Sequence, residues 1–452
     1  LNIWKFIPRW ELVRLVARIG VLCLLIITAS ALHVAHAQTL DSYRAQGQIM
    51  LDVIKADIKK NYYDPAYHGV DLDADFKDAS EQLKQAKSLG HILGIVGQAV
   101  MKLNDSHTFF VPPRAPMRID HGWQMQMIGD KCYVVAVKPG SDAEAKGLQP
   151  GDRILTLEGY TFKREDLWKL QYIVYILSPR KGLRVLVEKP DGKRLPLEIA
   201  AQVKEGKRIT DLRGVNVSND LGDLIRDSQT DARLRAHRYF ELESGYLIWK
   251  MPEFDLSNTQ VDEMIEKARK RKALILDMRG NTGGDEDTML RLISNLFDHD
   301  VTLGELKRRK EMKPLVAKTR GESAFKGDLV LLVDSDSSSA AELLARVVQL
   351  EKRGKVIGDR TSGLVMRSRL YDHQLGEGLV INYGASITDA DIVMGDGQSL
   401  EHVGVTPDEV VLPTAKELAA HLDPTMVRAA EIVGLKISPE KAGSLFPVQW
   451  RK

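Results

Sequence analysis

Leu329-Val330-Leu331-Leu332-Val333-Asp334-Ser335-Asp336-Ser337-Ser338-Ser339-Ala340-Ala341-Glu342 is the stretch on which the reading of this chain turns. Five apolar residues, β-branched and aliphatic, make a strand of the fully buried kind. A polar turn follows, and a helix begins near Ala340 and runs to about Leu350. The pattern repeats along the second half of the chain. Tyr246 to Trp249 and Ala273 to Met278 read as strands, Ser257 to Lys270 and Asp285 to Phe297 as helices, and Lys355 to Gly358 as a further strand. Short apolar runs joined by helices predict an α/β architecture with a mostly parallel sheet covered by helices.

Ser339 sits where such a strand hands over to a helix. N–H groups of a first helical turn point toward that position and favour developing negative charge. The same four residues, Ser339-Ala340-Ala341-Glu342, also spell a capping box, which requires no chemistry. Both readings stand on local sequence. Three other stretches carry groups of interest. Asp277-Met278-Arg279-Gly280-Asn281-Thr282-Gly283-Gly284 also follows an apolar strand, and its glycines let backbone approach a ligand. An N–H of Gly283 or Gly284 would complete an oxyanion hole with that of Ala340; the alternative is a plain turn. Leu103-Asn104-Asp105-Ser106-His107-Thr108 closes a helix with a histidine that is either a general base or a structural group. Ser399-Leu400-Glu401-His402-Val403-Gly404 offers Glu401, which alone is a surface carboxylate.

Upstream the pattern differs. Residues 40 to 105 read as helical, with Ile49, Leu51, Ile54, Ile58 and Tyr62 near helical spacing, further helices over Ala74 to Ala86 and Ser88 to Leu103, and a stop at Pro112-Pro113. From Met117 to Val203 short strands and turns dominate. Val134-Val135-Ala136-Val137-Lys138-Pro139-Gly140-Ser141, Ala145-Lys146-Gly147-Leu148 and Gly151-Asp152-Arg153-Ile154 resemble a PDZ domain. That resemblance implies binding of extended peptide as an added strand, with Gly122, Trp123 and Met125 at the position of the peptide-binding loop. A structural module without a peptide partner is the other reading. Residues 204 to 243 are charged and weakly patterned, and read as a connector with some helix.

The four stretches together resemble the C-terminal processing peptidases, or tail-specific proteases, and the related tricorn core peptidases. Tyr63-Asp64-Pro65, Gly358-Asp359-Arg360-Thr361-Ser362-Gly363 and Gly404-Val405-Thr406-Pro407-Asp408 extend the match over nearly all of the chain. The resemblance implies a crotonase-like core, a nucleophile at Ser339 three residues before Glu342, and peptide-bond hydrolysis without metal or organic cofactor. Many members place a lysine base directly after a Thr-x-Gly. Here Leu364 follows Thr361-Ser362-Gly363, and no lysine recurs before Lys416. The tricorn-like branch uses histidine, supported by a neighbouring serine and a distant glutamate. The matching positions are His107, Ser106 and Glu401, with Gly283, Gly284 and Ala340 at the oxyanion hole. The rival is a catalytically inactive relative acting as a peptide-binding scaffold.

Bulk properties argue against a nucleic-acid partner, and the resemblance implies a polypeptide substrate. The chain carries a formal +2, of which the first 37 residues supply +3, leaving about −1; no basic block suits a nucleic-acid backbone. Lys5, Arg9, Arg14 and Arg18, an apolar run from Ile19 to about Ala31, and Ala35-His36-Ala37 read as a cleavable secretory signal. The expected organisation is a signal peptide (1–37), a helical segment carrying the His motif (38–115), a PDZ-like domain (116–205), a catalytic core (206–415) and a helical tail (416–452). Removal of Cys23 would leave Cys132 alone, which excludes an intrachain disulfide and, with export, fits a periplasm. No stable membrane insertion is expected of the remainder.

Overall fold

The computed structural model describes residues 40–113, 117–205, 234–242, 245–376 and 380–450. The signal reading of residues 1–37 therefore lies outside the described residues. Among those described, no helix is long and apolar enough to cross a membrane.

Six strands form the central sheet, in the order Glu409–Val410, Lys355–Gly358, Asp328–Val333, Ala273–Asp277, Tyr246–Lys250, Arg238–Leu242. All neighbours run parallel except the last pair. Ala273–Asp277 is buried along its whole length, and Asp328–Val333 everywhere but its first residue. That burial is why both segments read as continuous apolar runs rather than alternating ones. The helices Asn258–Arg269, Glu286–Leu296 and Ala340–Leu350 cover one face. Ser257 opens the first of them with a capping box to Gln260. The opposite face takes the helices Pro424–Ile432 and Pro439–Ser444, through Met426, Ala429, Ala442 and Leu445. The tail is thus part of the same core.

A second sheet of five strands is antiparallel. It comprises Phe109–Val111, Ile381–Met394, Val301–Lys307 and Met312–Ala317 in order, with Met366–Leu375 also paired to Ile381–Met394. The expected mostly parallel sheet is the central one; this antiparallel sheet stands beside it and was not foreseen from the sequence. These strands have one buried face and carry Arg367, Arg369, Asp372, Thr388 and Asp389, so they lack the apolar run that marks a buried strand. The connector reading of residues 204–243 also changes: its described ends are strands, Gln202–Glu205 and Arg238–Leu242.

The N-terminal helices (residues 40–61, Leu72–Lys84 and Leu89–Met101) pack around Ile54, Ile58, Tyr62, Phe76 and Val96. Asp71 and Ser88 cap the second and third by accepting from Ala74 N–H and His91 N–H. This cluster also takes in Tyr383, Ala385 and Ile387 of the longest strand, which seats the helices on the second sheet.

Between these parts lies a five-stranded antiparallel sheet, Trp123–Ile128, Lys131–Val137, Arg153–Leu157, Gly182–Glu188, Arg194–Ala200. Met117–Asp120 and Gln202–Glu205 pair with each other at its entry and exit. The inserted unit packs Leu177 into the apolar cluster of the N-terminal helices and meets the loops of the central sheet through polar and main-chain contacts. Gln126 donates to Asp334 at 2.6 Å, and Ser335 Oγ to Met127 O at 2.7 Å. The buried Arg164 guanidinium meets Asp359 at 3.1 Å and also reaches the carbonyls of Gly129 and Arg360.

Candidate active site

Ala273–Asp277 and Asp328–Val333 are adjacent parallel strands, so the loops leaving their carboxyl ends come out side by side. One loop carries Asp277 to Gly284 and the other Asp334 to Ser339. Crevices at such strand ends are where open parallel sheets bind ligands. The two loops are locked together. Asn281 is fully buried; its Nδ2 donates to Met251 O at 2.8 Å and its Oδ1 accepts from Gly283 N–H at 2.8 Å. Its carbonyl accepts from Ser338 N–H at 2.9 Å.

Ser339 has φ 55° and ψ −120°, a region that a non-glycine residue enters only when its surroundings impose it. A strained strand-to-helix turn of this sort lifts a serine hydroxyl clear of the sheet. Ser339 and Glu342 stand in the relation of a capping box, yet the hydroxyl closes no cap hydrogen bond. Glu342 N–H goes instead to the Ser339 carbonyl at 2.9 Å, and Glu342 Oε2 accepts from Ser339 N–H at 3.1 Å. The helix start is therefore satisfied through main chain and glutamate, and the Ser339 Oγ is not consumed by capping.

Glu342 does more than cap. It is fully buried and accepts from Thr361 Oγ1 at 2.5 Å, Gly363 N–H at 2.8 Å, Leu364 N–H at 3.0 Å and Ser362 Oγ at 3.2 Å. Burial pushes its carboxyl up to about 7, against these bonds, which favour the charged form. The Thr361 to Leu364 segment is thereby fixed beside Ser339, whose N–H donates to Leu364 O at 3.0 Å. Leu364, at the position that the resemblance gives to lysine, adjoins the serine but supplies no proton acceptor on its side chain.

The next residue leads to the second half of the site. Val365 N–H donates to Glu401 Oε2 at 2.7 Å. Glu401 also accepts from Ser106 N–H (Oε1, 2.9 Å) and Ser106 Oγ (Oε2, 2.9 Å), across 295 positions of sequence. Ser106 Oγ lies 2.8 Å from His107 Nδ1. A serine hydroxyl has one proton. With that proton given to Glu401, Oγ accepts from His107, so Nδ1 carries the ring hydrogen and Nε2 the lone pair. Nε2 has no hydrogen-bond partner among the described residues. Burial depresses the His107 pKa, while Asp105 acts in the opposite sense. Burial raises that of Glu401. The shift at His107 favours the neutral imidazole.

The glycine pair divides its tasks. Gly283 (φ 90°) has its N–H engaged with Asn281, and a Cβ there would stand 2.6 Å from Ser339 Cβ. Gly284 (φ 139°) bridges to Phe254, through Phe254 N–H to Gly283 O and Asp285 N–H to Phe254 O, both at 2.7 Å. That ladder leaves Gly284 N–H unused. Ala340 opens the helix, where an N–H has no intrahelical acceptor. The loop beneath is tethered by a buried ion network that sequence reading missed, because Asp423 is distant in the chain. Arg279 reaches both oxygens of Asp277 (2.9 and 2.8 Å) and both of Asp423 (2.9 and 2.8 Å), and Lys250 meets Asp277 at 3.2 Å. The Arg279 and Lys250 cations hold the fully buried Asp277 carboxyl far below its ordinary range, against the opposing effect of burial. Asp277→Ala leaves Lys250 without its carboxylate and Arg279 with Asp423 alone, and should cost about 3 kcal/mol, read as a lower denaturant midpoint at unchanged slope.

Gly122, Trp123 and Met125 lie in the inserted unit, away from this cluster. Gly122 has φ 71° and a Cβ there would meet Ser141 Cβ at 2.5 Å. The side chains of Trp123 and Met125 are buried in the unit's own core with Leu167, Leu170 and Val174. What they present outward is the main chain of an edge strand, the first in its sheet. Part of that edge is taken, since Met127 O already accepts from Ser335. No group of three or more His, Cys, Asp or Glu among the described residues is placed to hold a metal ion.

Comparison with known proteins bears on this geometry. Residues 244–411 match the profile of Peptidase family S41. The tail-specific protease of Haemophilus influenzae is 28% identical over 310 residues, covering 64% of this chain and 41% of that protein. The carboxyl-terminal-processing protease of a Picosynechococcus species is 23% identical over 332 residues, covering 70% and 72%. The chain thus spans well under half of the first of these relatives. Among solved structures, mature CPAF superposes with a TM-score of 0.61 at 14% identity over 83% of this chain and 94% of that one. Mature CPAF complexed with lactacystin gives 0.60 at 15% identity over 84% and 96%. At these identities the likeness is one of α/β fold. Residues 244–411 are thus similar to Peptidase family S41, and the chain is similar to C-terminal processing and tail-specific proteases.

Proposed function

We propose that this protein is a serine endopeptidase in which Ser339 is the nucleophile, His107 the base and Ser106 with Glu401 the support of that base. The observation that carries the reading is the chain Glu401–Ser106–His107 Nδ1, which leaves Nε2 as the free acceptor. His107 takes the Ser339 proton as the alkoxide attacks a peptide carbonyl. Glu401, through Ser106, holds the ring and offsets the imidazolium charge, as the third member of a triad does. Gly284 N–H and Ala340 N–H receive the oxyanion, with Gly283 keeping the loop against the serine. His107 then protonates the leaving amine, and water releases the acyl group. Such a sequence calls on no metal or organic cofactor. Ser339 Oγ and His107 make no hydrogen bond in this structure, and such bonds commonly close only around substrate.

The finer organisation belongs to the same proposal. Residues 206–415 form a crotonase-like core and residues 116–205 a PDZ-like domain that presents extended polypeptide to the cleft. Residues 38–115 and 416–452 flank these as helical segments. Sequence assigns residues 1–37 to a secretory signal and so places the enzyme in the periplasm or outside the cell.

The test is a fluorophosphonate probe followed by peptide mapping, beside an assay on an unfolded polypeptide. Labelling at Ser339 with cleavage is expected. No label and no cleavage would leave a peptide-binding scaffold as the better reading.

A further inference from the structure

Asp105 is almost fully buried, at 1% exposure, directly behind the His107 turn. It accepts four hydrogen bonds from three parts of the fold. Oδ1 takes His107 N–H at 2.8 Å, Thr108 N–H at 3.1 Å and Thr388 Oγ1 at 2.8 Å. Oδ2 takes Tyr62 OH at 2.9 Å. Tyr62 ends the first helical segment, and Thr388 lies on the longest strand of the antiparallel sheet. Thr108 and Thr388 reinforce the junction through Thr108 Oγ1, which donates to Thr388 Oγ1 at 3.1 Å and accepts from Thr388 N–H at 3.0 Å. None of these contacts reaches the His107 ring, which Ser106 and Glu401 serve.

We infer that Asp105 is a positioning residue for the base: a second buried carboxylate that fixes the His107 main chain and lends negative charge to the imidazolium formed during catalysis. A backbone anchor alone would be satisfied by a neutral acceptor. Two carboxylates here flank one histidine, Glu401 on the ring side and Asp105 on the chain side. The charge is close enough to oppose the effect of burial on His107 and to act on Glu401 and Tyr62. Other ionisable groups stand around the turn: the His68 ring lies 3.4 Å from Tyr62 OH and 3.1 Å from Leu103 O. His402 stands 3.6 Å from Glu401 and bonds Asn104 O at 2.8 Å. Lys169 bonds Asn104 Oδ1 at 2.8 Å. Tyr63 is flanked by Asp64 and Asp391. Of these groups and Asp105, it is Asp105 that accepts from the His107 main chain.

This inference rests on the reading of His107 as the base. Asp105→Asn is the test, since Asn Oδ1 still accepts from His107, Thr108 and Thr388, while Nδ2 can donate to the Tyr62 hydroxyl. The charge is lost and the Tyr62 bond reverses, while the three bonds to Oδ1 are kept. With less support for the imidazolium, the acid limb of kcat/KM should move to lower pH and kcat should fall about tenfold, with KM unchanged. An unmoved limb, or one displaced to higher pH, overturns the proposal, because a purely structural anchor would leave the limb in place. Should Asp105→Asn fail to fold by circular dichroism, Tyr62→Phe serves. It removes a donor and leaves the charge less neutralised, so its acid limb should move to higher pH, and no movement counts against the proposal. His107→Ala is the control. If it retains activity, the base assignment falls; if it is inactive while Asp105→Asn keeps the wild-type limb, only the present inference falls.

Discussion

Ser339→Ala is expected to lower kcat by roughly 10⁴–10⁶-fold against a polypeptide substrate, with KM nearly unchanged and the fold intact. Ser339 is held by bonds that do not involve its hydroxyl: its N–H is shared by Leu364 O and Glu342 Oε2, and its carbonyl takes Glu342 N–H. Alanine keeps all of these, so stability should change little. Alanine also carries the Cβ that already packs against Gly283, so the backbone strain at φ 55° is no greater than before. His107→Ala should cost about the same in kcat, and the double variant little more than either single one, because nucleophile and base act as a unit. Single-turnover kinetics on the three proteins decides it. Additive losses would mean that the two residues act separately and that the proton goes elsewhere.

Glu401→Gln is the second large effect, about 10⁴-fold in kcat by analogy with the amide substitution of a triad carboxylate. The carboxylate accepts from three donors and gives to none: Ser106 N–H on Oε1, Ser106 Oγ and Val365 N–H on Oε2. An amide nitrogen at either position faces a backbone N–H. Placed toward Ser106 Oγ, it donates to that oxygen and turns the hydroxyl proton toward His107 Nδ1. The ring hydrogen then moves to Nε2, and the base is lost although every heavy atom stays close to its place. Ser106→Ala should be milder, since it removes the relay without imposing the wrong tautomer. A nitrogen NMR spectrum of the imidazole in the Ser339→Ala background reads the tautomer directly. A Glu401→Gln protein with the hydrogen still on Nδ1 would exclude this explanation of any lost activity.

Much of the central sheet was legible because burial on both faces leaves a simple trace. Ala273–Asp277 and Asp328–Val333 are apolar runs of strand length, each followed by a polar loop and an amphipathic helix. The antiparallel sheet left no such trace. Ile381–Met394 spans fourteen residues and includes Asn382, Gly384, Ser386, Thr388 and Asp391, with support from partners far away in the chain. Arg238–Leu242 has half-exposed or exposed residues throughout and pairs on one side only. For such strands the hydrogen-bonded neighbour, not the segment's own composition, decides the conformation.

The site divides in the same way. Sequence, through its resemblance to the tail-specific and tricorn-like peptidases, singled out Ser339, His107, Ser106, Glu401, Gly283, Gly284 and Ala340, and showed Leu364 where that resemblance would put a lysine. It could not choose between cap and nucleophile at Ser339, because a serine three residues before a glutamate satisfies both. The tertiary structure decided which atoms are engaged. Glu342 and the main chain serve the helix start and leave Oγ out of it; Asn281 takes Gly283 N–H and leaves that of Gly284. Glu401, 295 positions from Ser106, sets through Ser106 the tautomer of His107. Asp105 and Asp423 gained their parts only when the chain folded. Residue type and spacing record what a group is able to donate or accept; which partner it meets depends on strands and loops that are remote in sequence and adjacent in space.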